Sequence, residues 1–108
     1  MKTYLERGEY ANAVLYLKET IEAAHYKSAF IVADLAWAYY RAGWREKALN
    51  SLNDAYADDP KYSLSYFYYG RMMLEKGDLG RAEQAFQKAI SLYPAEEMYR
   101  EYLEKARN

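Results

Sequence analysis

Apolar residues recur along this chain at the three- and four-residue intervals of amphipathic helices, and no stretch holds the alternation of a strand between turn signals. Ala13, Val14, Leu17, Ile21 and Ala24 mark one face of a helix opened by Glu9 and running to about Ala24. Before it, Lys2 to Arg7 read as the last turns of another helix, stopped by Gly8, because glycine enters the left-handed conformation past a helix end without a steric cost. The same reasoning predicts helices over about Ala29 to Ala42, Arg45 to Ala57, Ser63 to Lys76, Leu79 to Leu92 and Ala95 to Ala106. Gly43 and Gly77 punctuate them, as do Pro60 and Pro94, since the residue before a proline is pushed out of helical geometry.

These elements repeat. Moving along the chain by 34 residues carries Leu35, Ala36, Gly43, Ala48, Leu52, Ala55 and Pro60 onto Tyr69, Gly70, Gly77, Ala82, Phe86, Ala89 and Pro94. Gly8 to Gly43 is 35 residues, so the first connection carries one extra residue near His25 to Ser28. A fixed period of this length marks stacked helix pairs, which cannot bury their apolar faces singly and do so against neighbours. Small residues are expected where paired helices cross, Ala36 against Ala48 and Gly70 against Ala82. Larger ones (Val32, Leu35, Tyr39 and Leu52, then Tyr66, Tyr69, Met73 and Phe86) are expected to fill the space between helices.

The pattern Val32-x2-Leu35-Ala36-x2-Tyr39, Ala48-x3-Leu52, Ala55, Pro60, followed by Tyr66-x2-Tyr69-Gly70-x2-Met73, Ala82-x3-Phe86, Ala89, Pro94, resembles the tetratricopeptide repeat. Val32 in place of an aromatic residue and Ala36 in place of glycine are its mild departures. The resemblance implies an all-α fold, a right-handed superhelical stack of antiparallel helix pairs. It divides a single domain into a partial repeat over 1–28, repeats over 29–62 and 63–96, and a capping helix over 97–108. In the cap, Met98, Tyr99, Tyr102, Leu103 and Ala106 share one side and charged residues lie mostly opposite.

Composition narrows the chemistry. The chain of 108 residues has no cysteine, which removes disulfides, thiolate metal sites and cysteine nucleophiles and leaves the compartment open. The single histidine, His25, stands in a connection without a second ligand beside it. Asp58 and Asp59 precede Pro60 at a helix end, where a turn role outweighs acid–base work. No glycine-rich phosphate loop occurs. No cofactor and no catalysis are therefore expected. A formal net charge of −1 counts against a sequence-independent grip on nucleic acid, although Arg41, Arg45 and Arg71 beside Trp37 and Tyr40 could stack on bases. The apolar runs are only a few residues long, too short for a membrane-spanning helix within the chain.

The 14 tyrosines suit half-buried helix faces and binding surfaces equally. By resemblance to the repeat family, the first helix of each unit lines a concave groove that binds partners. The corresponding positions are Phe30, Ala33, Trp37, Tyr40 and Arg41 in one repeat and Leu64, Phe67, Arg71, Leu74 and Glu75 in the next. Burial of Trp37 and Phe67 by a neighbouring helix is the competing reading. One subfamily grips the carboxylate of a C-terminal peptide with lysines and asparagines; the matching slots here hold Ala33, Trp37, Leu64 and Tyr68, so a segment with apolar anchors is the expected ligand. The function implied is a protein–protein interaction module with a protein or peptide partner. The alternative is self-association through an N-terminal edge exposing Tyr4, Leu5 and Val14. Met1 falls inside the first helix of the first motif, which suggests a piece of a longer protein, with a further repeat or a membrane anchor upstream.

Overall fold

The computed structural model describes residues 2–108, and among these the regular elements are all α-helices. In chain order they are α1 (Lys2–Glu6), α2 (Tyr10–Ala24), α3 (Ala29–Arg41), α4 (Arg45–Asp58), α5 (Ser63–Lys76), α6 (Leu79–Leu92) and α7 (Glu97–Arg107). Helices α5 and α6 have the expected bounds. Helix α7 opens two residues later than expected, and the Arg100 guanidinium donates to the Pro94 carbonyl just before it. The described residues form two compact units, one up to Pro60 and one over Lys61–Asn108.

Three of the turns share one mechanism. Gly8, Gly43 and Gly77 have φ of 73°, 97° and 89°, the left-handed region that strains other residues. At Gly77 the amide donates to the Leu74 carbonyl at 3.1 Å and the next amide, of Asp78, donates to that of Met73 at 2.9 Å. The same pair of bonds recurs at Gly43 and Trp44, onto Tyr40 and Tyr39, and at Gly8 and Glu9, onto Leu5 and Tyr4. These bonds satisfy carbonyls orphaned at the helix ends and reverse the chain, so the following helix packs back on the one just completed. Helix α2 ends differently. His25 takes the left-handed conformation at φ 56°, within the extra-residue connection.

In the first unit α3 is the central element: Val32, Ala33, Leu35, Ala36, Trp37, Ala38, Tyr39 and Tyr40 are all buried. It packs against α2 through a face that includes Ala13, Val14 and Leu17, and against α4 through Ala48, Leu52 and Ala55. Ile21 is half-buried and Ala24 is exposed, so the α2 stripe fades toward its C-terminus. Val14, expected on an open edge, is instead 4% exposed because it belongs to the α2 face turned into this core.

The N-terminus of α3 is held from a distance. Ser28 makes no side-chain cap; the Asp58 carboxylate, at the end of α4, accepts the Ala29 amide at 2.7 Å. The Tyr26 hydroxyl donates to the other Asp58 oxygen, so one carboxylate joins the α2–α3 connection, the start of α3 and the end of α4. An anion beside an uncapped helix N-terminus is favourable because the first amides have no intrahelical acceptor. The two hydrogen bonds, that from Tyr26 first, hold the Asp58 carboxyl below the ordinary carboxylate range. The acceptor in turn holds the Tyr26 phenol above its ordinary value.

The second unit is built on rings. Phe67 is 1% exposed, with ring centroids of Tyr99, Tyr102 and Phe86 at 4.9, 5.1 and 5.8 Å. Tyr99 and Tyr102 come from α7, which covers this face of α5 and α6 with an aromatic layer. A hydrogen bond of 2.9 Å joins the Tyr99 hydroxyl to that of Ser63. Burial pushes the Tyr99 phenol above its ordinary value, partly offset by that bond. Of the apolar cap residues, Tyr99, Leu103 and Ala106 are buried, Tyr102 is half-buried, and Met98 remains 39% exposed.

Gly70 explains how α5 and α6 approach. A Cβ placed on it would lie 2.5 and 2.7 Å from Phe86 ring carbons, far inside van der Waals contact. The close neighbour is thus the Phe86 ring rather than Ala82 alone. Tyr66 and Tyr69 are only half-buried, so they contribute less to this core than expected. The Ser65 hydroxyl is enclosed in the protein interior without a hydrogen-bond partner among the described residues.

Candidate partner-binding surface

The residues expected to line a groove separate sharply by burial. In the first unit Ala33, Trp37 and Tyr40 are 0%, 6% and 8% exposed, whereas Phe30 is 68% exposed and Arg41 is also exposed. Trp37 and Tyr40 stack at 5.8 Å with 19° between their planes, and the Arg41 guanidinium lies 5.7 Å from the Trp37 ring and 5.6 Å from Tyr10. Arg45 covers Tyr40 at 5.1 Å. Ordered cations over ring faces exchange part of their hydration for attraction to the ring quadrupole. Arg41 and Arg45, two of the arginines that could have stacked on bases, thus lie over rings of their own unit.

In the second unit Phe67 lies within the aromatic layer, while Leu64, Arg71 and Leu74 are half-buried and Glu75 is exposed. Arg71 lies 5.7 Å from the Phe67 ring and 4.8 Å from Tyr102. Among these positions Phe30 and Arg41 are exposed in the first unit; in the second, Leu64, Arg71 and Leu74 are half-buried and Glu75 is exposed. Trp37 lies under the Arg41 guanidinium in the first unit, and Phe67 under that of Arg71 in the second. Family position alone does not distinguish the two groups: the aromatic layer depends on Tyr99 and Tyr102, more than thirty residues beyond Phe67.

The positions matched by resemblance to a carboxylate-gripping arrangement are largely enclosed. Ala33, Trp37 and Tyr68 are buried and Leu64 is half-buried. No group of three or more His, Cys, Asp or Glu that could hold a metal ion occurs among the described residues. Nor is any helix among them long and apolar enough to cross a membrane.

A family model of the tetratricopeptide repeat matches residues 33–97, more than half of the chain. The chain belongs to the tetratricopeptide-repeat family. Solved structures share its fold. The Sgt2 tetratricopeptide-repeat domain from Aspergillus fumigatus is 24% identical with a TM-score of 0.81, over 98% of this chain and 71% of that one. The first such domain of human RPAP3 is 22% identical with a TM-score of 0.82, over 98% and 83%. The second domain of human RPAP3, solved in complex with the HSP70 peptide SGPTIEEVD, is 24% identical with a TM-score of 0.78, over 99% and 88%. A search of curated protein sequences finds no match. The tetratricopeptide-repeat assignment accounts for the paired helices, the glycine turns and the repeated small residues together.

Proposed function

We propose that this chain is a protein–protein interaction module that takes a segment of a partner protein on its first-helix faces. Phe30 carries the reading: a phenylalanine exposed over two-thirds of its surface, at a position the family uses for contact, in the first turn of a well-packed helix. Exposed apolar side chains on a rigid element offer contact area without the entropic cost of ordering a loop. Phe30 and Arg41 serve on α3, and Leu64, Arg71 and Leu74 on α5. Ala33, Trp37 and Tyr40 are packed within the first unit and Phe67 within the second, and they serve the fold. No catalytic role is assigned to any of these residues.

The bound RPAP3 domain supports a peptide as the class of partner. The slots held by Ala33, Trp37, Leu64 and Tyr68 present no cation, so an apolar anchor replaces a terminal carboxylate as the recognised feature. Peptides selected from a random library on the folded chain, then re-measured on Phe30→Ala/Arg41→Ala and Leu64→Ala/Leu74→Ala, test this. At least one pair is expected to weaken binding more than ten-fold, consistent with about 2 kcal/mol for a central anchor. Unchanged affinity in both pairs overturns the site.

Self-association is the second reading, favoured by Leu15 and Tyr16, which are 61% and 46% exposed on α2. Tyr4 meets Tyr16 edge-on at 6.2 Å, so the exposed patch adjoins α1. A mass that rises with concentration and returns to the monomer in Leu15→Glu is its expected signature; a constant monomeric mass removes it.

A further inference from the structure

The first unit carries a cleft of about 350 Å³ on the opposite side of α3 from Phe30. At 3.6 residues per turn, Val32, Leu35 and Tyr39 lie about half a turn around α3 from Phe30, Trp37 and Arg41. Those three, 1%, 6% and 6% exposed, form its base, the half-buried Ile21 of α2 adds an apolar side chain, and α2 and α4 are the walls. Three lysines line it: Lys18 from α2, Lys27 from the α2–α3 connection and Lys47 from α4. Two carboxylates share the rim. Asp54 is matched by Lys27 at 3.3 Å, and Glu22 stands one turn from Lys18 without an ion pair within 4 Å among the described residues.

Lys47 is the unusual group. Its ammonium lies 4.8 Å from the Trp44 ring centre and 5.9 Å from Tyr39, and those rings stack on each other at 5.7 Å. Among the described residues it has no carboxylate partner. The ring faces attract the ammonium at the cleft edge, and an N–H turned away from them is left to donate to an anion. With Lys27 and Asp54 cancelling, the rim holds Lys18 and Lys47 against Glu22, an excess of one positive charge in a chain of net charge −1. An apolar floor with few convergent polar groups is the usual make-up of a binding cleft.

We propose that this cleft is a second docking site, separate from the first-helix face, for an acidic segment of a partner protein: an apolar side chain on the Val32, Leu35 and Tyr39 floor, and an adjacent Asp or Glu carboxylate held by Lys47 and Lys18. The trough between two helices suits a length of chain, and the charge excess selects an acidic one. Carboxylate recognition, missing from the first-helix slots, is thereby supplied on the other face of α3. The proposal does not depend on Phe30 binding a partner.

The probe is the blocked peptide acetyl-Leu-Glu-Leu-amide, compared with its Gln counterpart, titrated into the full chain while NMR resonances are followed. The Glu peptide is expected to shift Trp44 and Tyr39. Replacement of its Glu by Gln, or Lys18→Met with Lys47→Met in the protein, is expected to weaken binding about five-fold, the scale of two partly exposed ion pairs. Methionine retains the stem that covers the rings, and an unchanged melting temperature certifies the variant. Added salt lowers affinity for the Glu peptide only. Equal affinities for Glu and Gln peptides, no effect of the lysine changes, or no shift at the cleft with millimolar peptide each overturn the proposal. Shifts centred on Phe30 and Arg41 also overturn it, by placing the acidic segment on the other face.

Discussion

The two units follow one 34-residue plan but hold it by different means. Where the second unit places Gly70 and Phe86, the first places Ala36 and Leu52, all four buried. Side-chain volume has moved from one helix to the other, which lets both helix pairs close. Where the second unit caps α6 with Asp78, whose carboxylate accepts the Arg81 amide at 3.2 Å, the first starts α4 at Trp44, with no cap, and uses that residue as a ring platform. Where the first unit ends α4 on the Asp58 clasp, the equivalent position in the second is Leu92, and α7 supplies Tyr99 and Tyr102 instead. The shared period thus records the backbone, while polar and aromatic devices are chosen unit by unit.

The largest expected effect comes from disturbing the exchanged volume. Phe86→Ala should cost about 3–5 kcal/mol by opening a cavity beside the fully buried Phe67. Gly70→Ala should cost about 1–3 kcal/mol through overpacking against the Phe86 ring, although alanine favours a helix. Combining Gly70→Ala with Phe86→Leu imports the first unit's pair; its cost should fall below the sum of the single changes. A double-mutant cycle by urea denaturation measures that coupling, and strict additivity would show that the two positions do not exchange volume.

A smaller effect should separate the units by pH. Asp58 has a lowered folded-state value, so its contribution is present above the unfolded carboxylate value near about pH 4 and is lost as pH falls through the folded value. Tyr99 has a raised value, so its contribution is present below about pH 10 and is lost as pH rises through the folded value. Acid should therefore release amide protection at Ala29 before it affects the Phe67 layer, and Asp58→Asn should remove that acid step. Hydrogen exchange along a pH series reads both regions separately.

Capping offers the next contrast. Asp78→Ala should cost about 1 kcal/mol at α6, since it frees the Arg81 amide. Two substitutions should do the reverse: His25→Gly relieves a left-handed residue, and Ser65→Ala removes a buried, unpaired hydroxyl. Each should leave stability unchanged or raise it by up to about 1 kcal/mol. Melting curves of the three variants order these effects, and a large loss in Ser65→Ala would reveal an unrecognised partner for that hydroxyl.

Much of this was legible from the chain. Glycine spacing and helical apolar periodicity locate the helices of the described residues to within a residue or two, because turn geometry and amphipathicity are local. The Asp58 clasp was not legible: Tyr26 and Ala29 lie 32 and 29 residues away, and an Asp-Asp-Pro run reads locally as a turn. The division of the candidate site into exposed and supporting residues also depends on distant rings, so Phe67 and Phe30 carry similar sequence signals but opposite burial.

That division is tested most directly by measuring partner-peptide affinity and melting temperature together in Phe30→Ala and Trp37→Ala. Phe30→Ala should lose affinity while melting like the wild type; Trp37→Ala should melt lower by an amount that reflects about 3–5 kcal/mol of lost core packing. Unaltered melting in Trp37→Ala with a selective loss of affinity, alongside full binding by Phe30→Ala, would contradict the account and place recognition on the stacked rings.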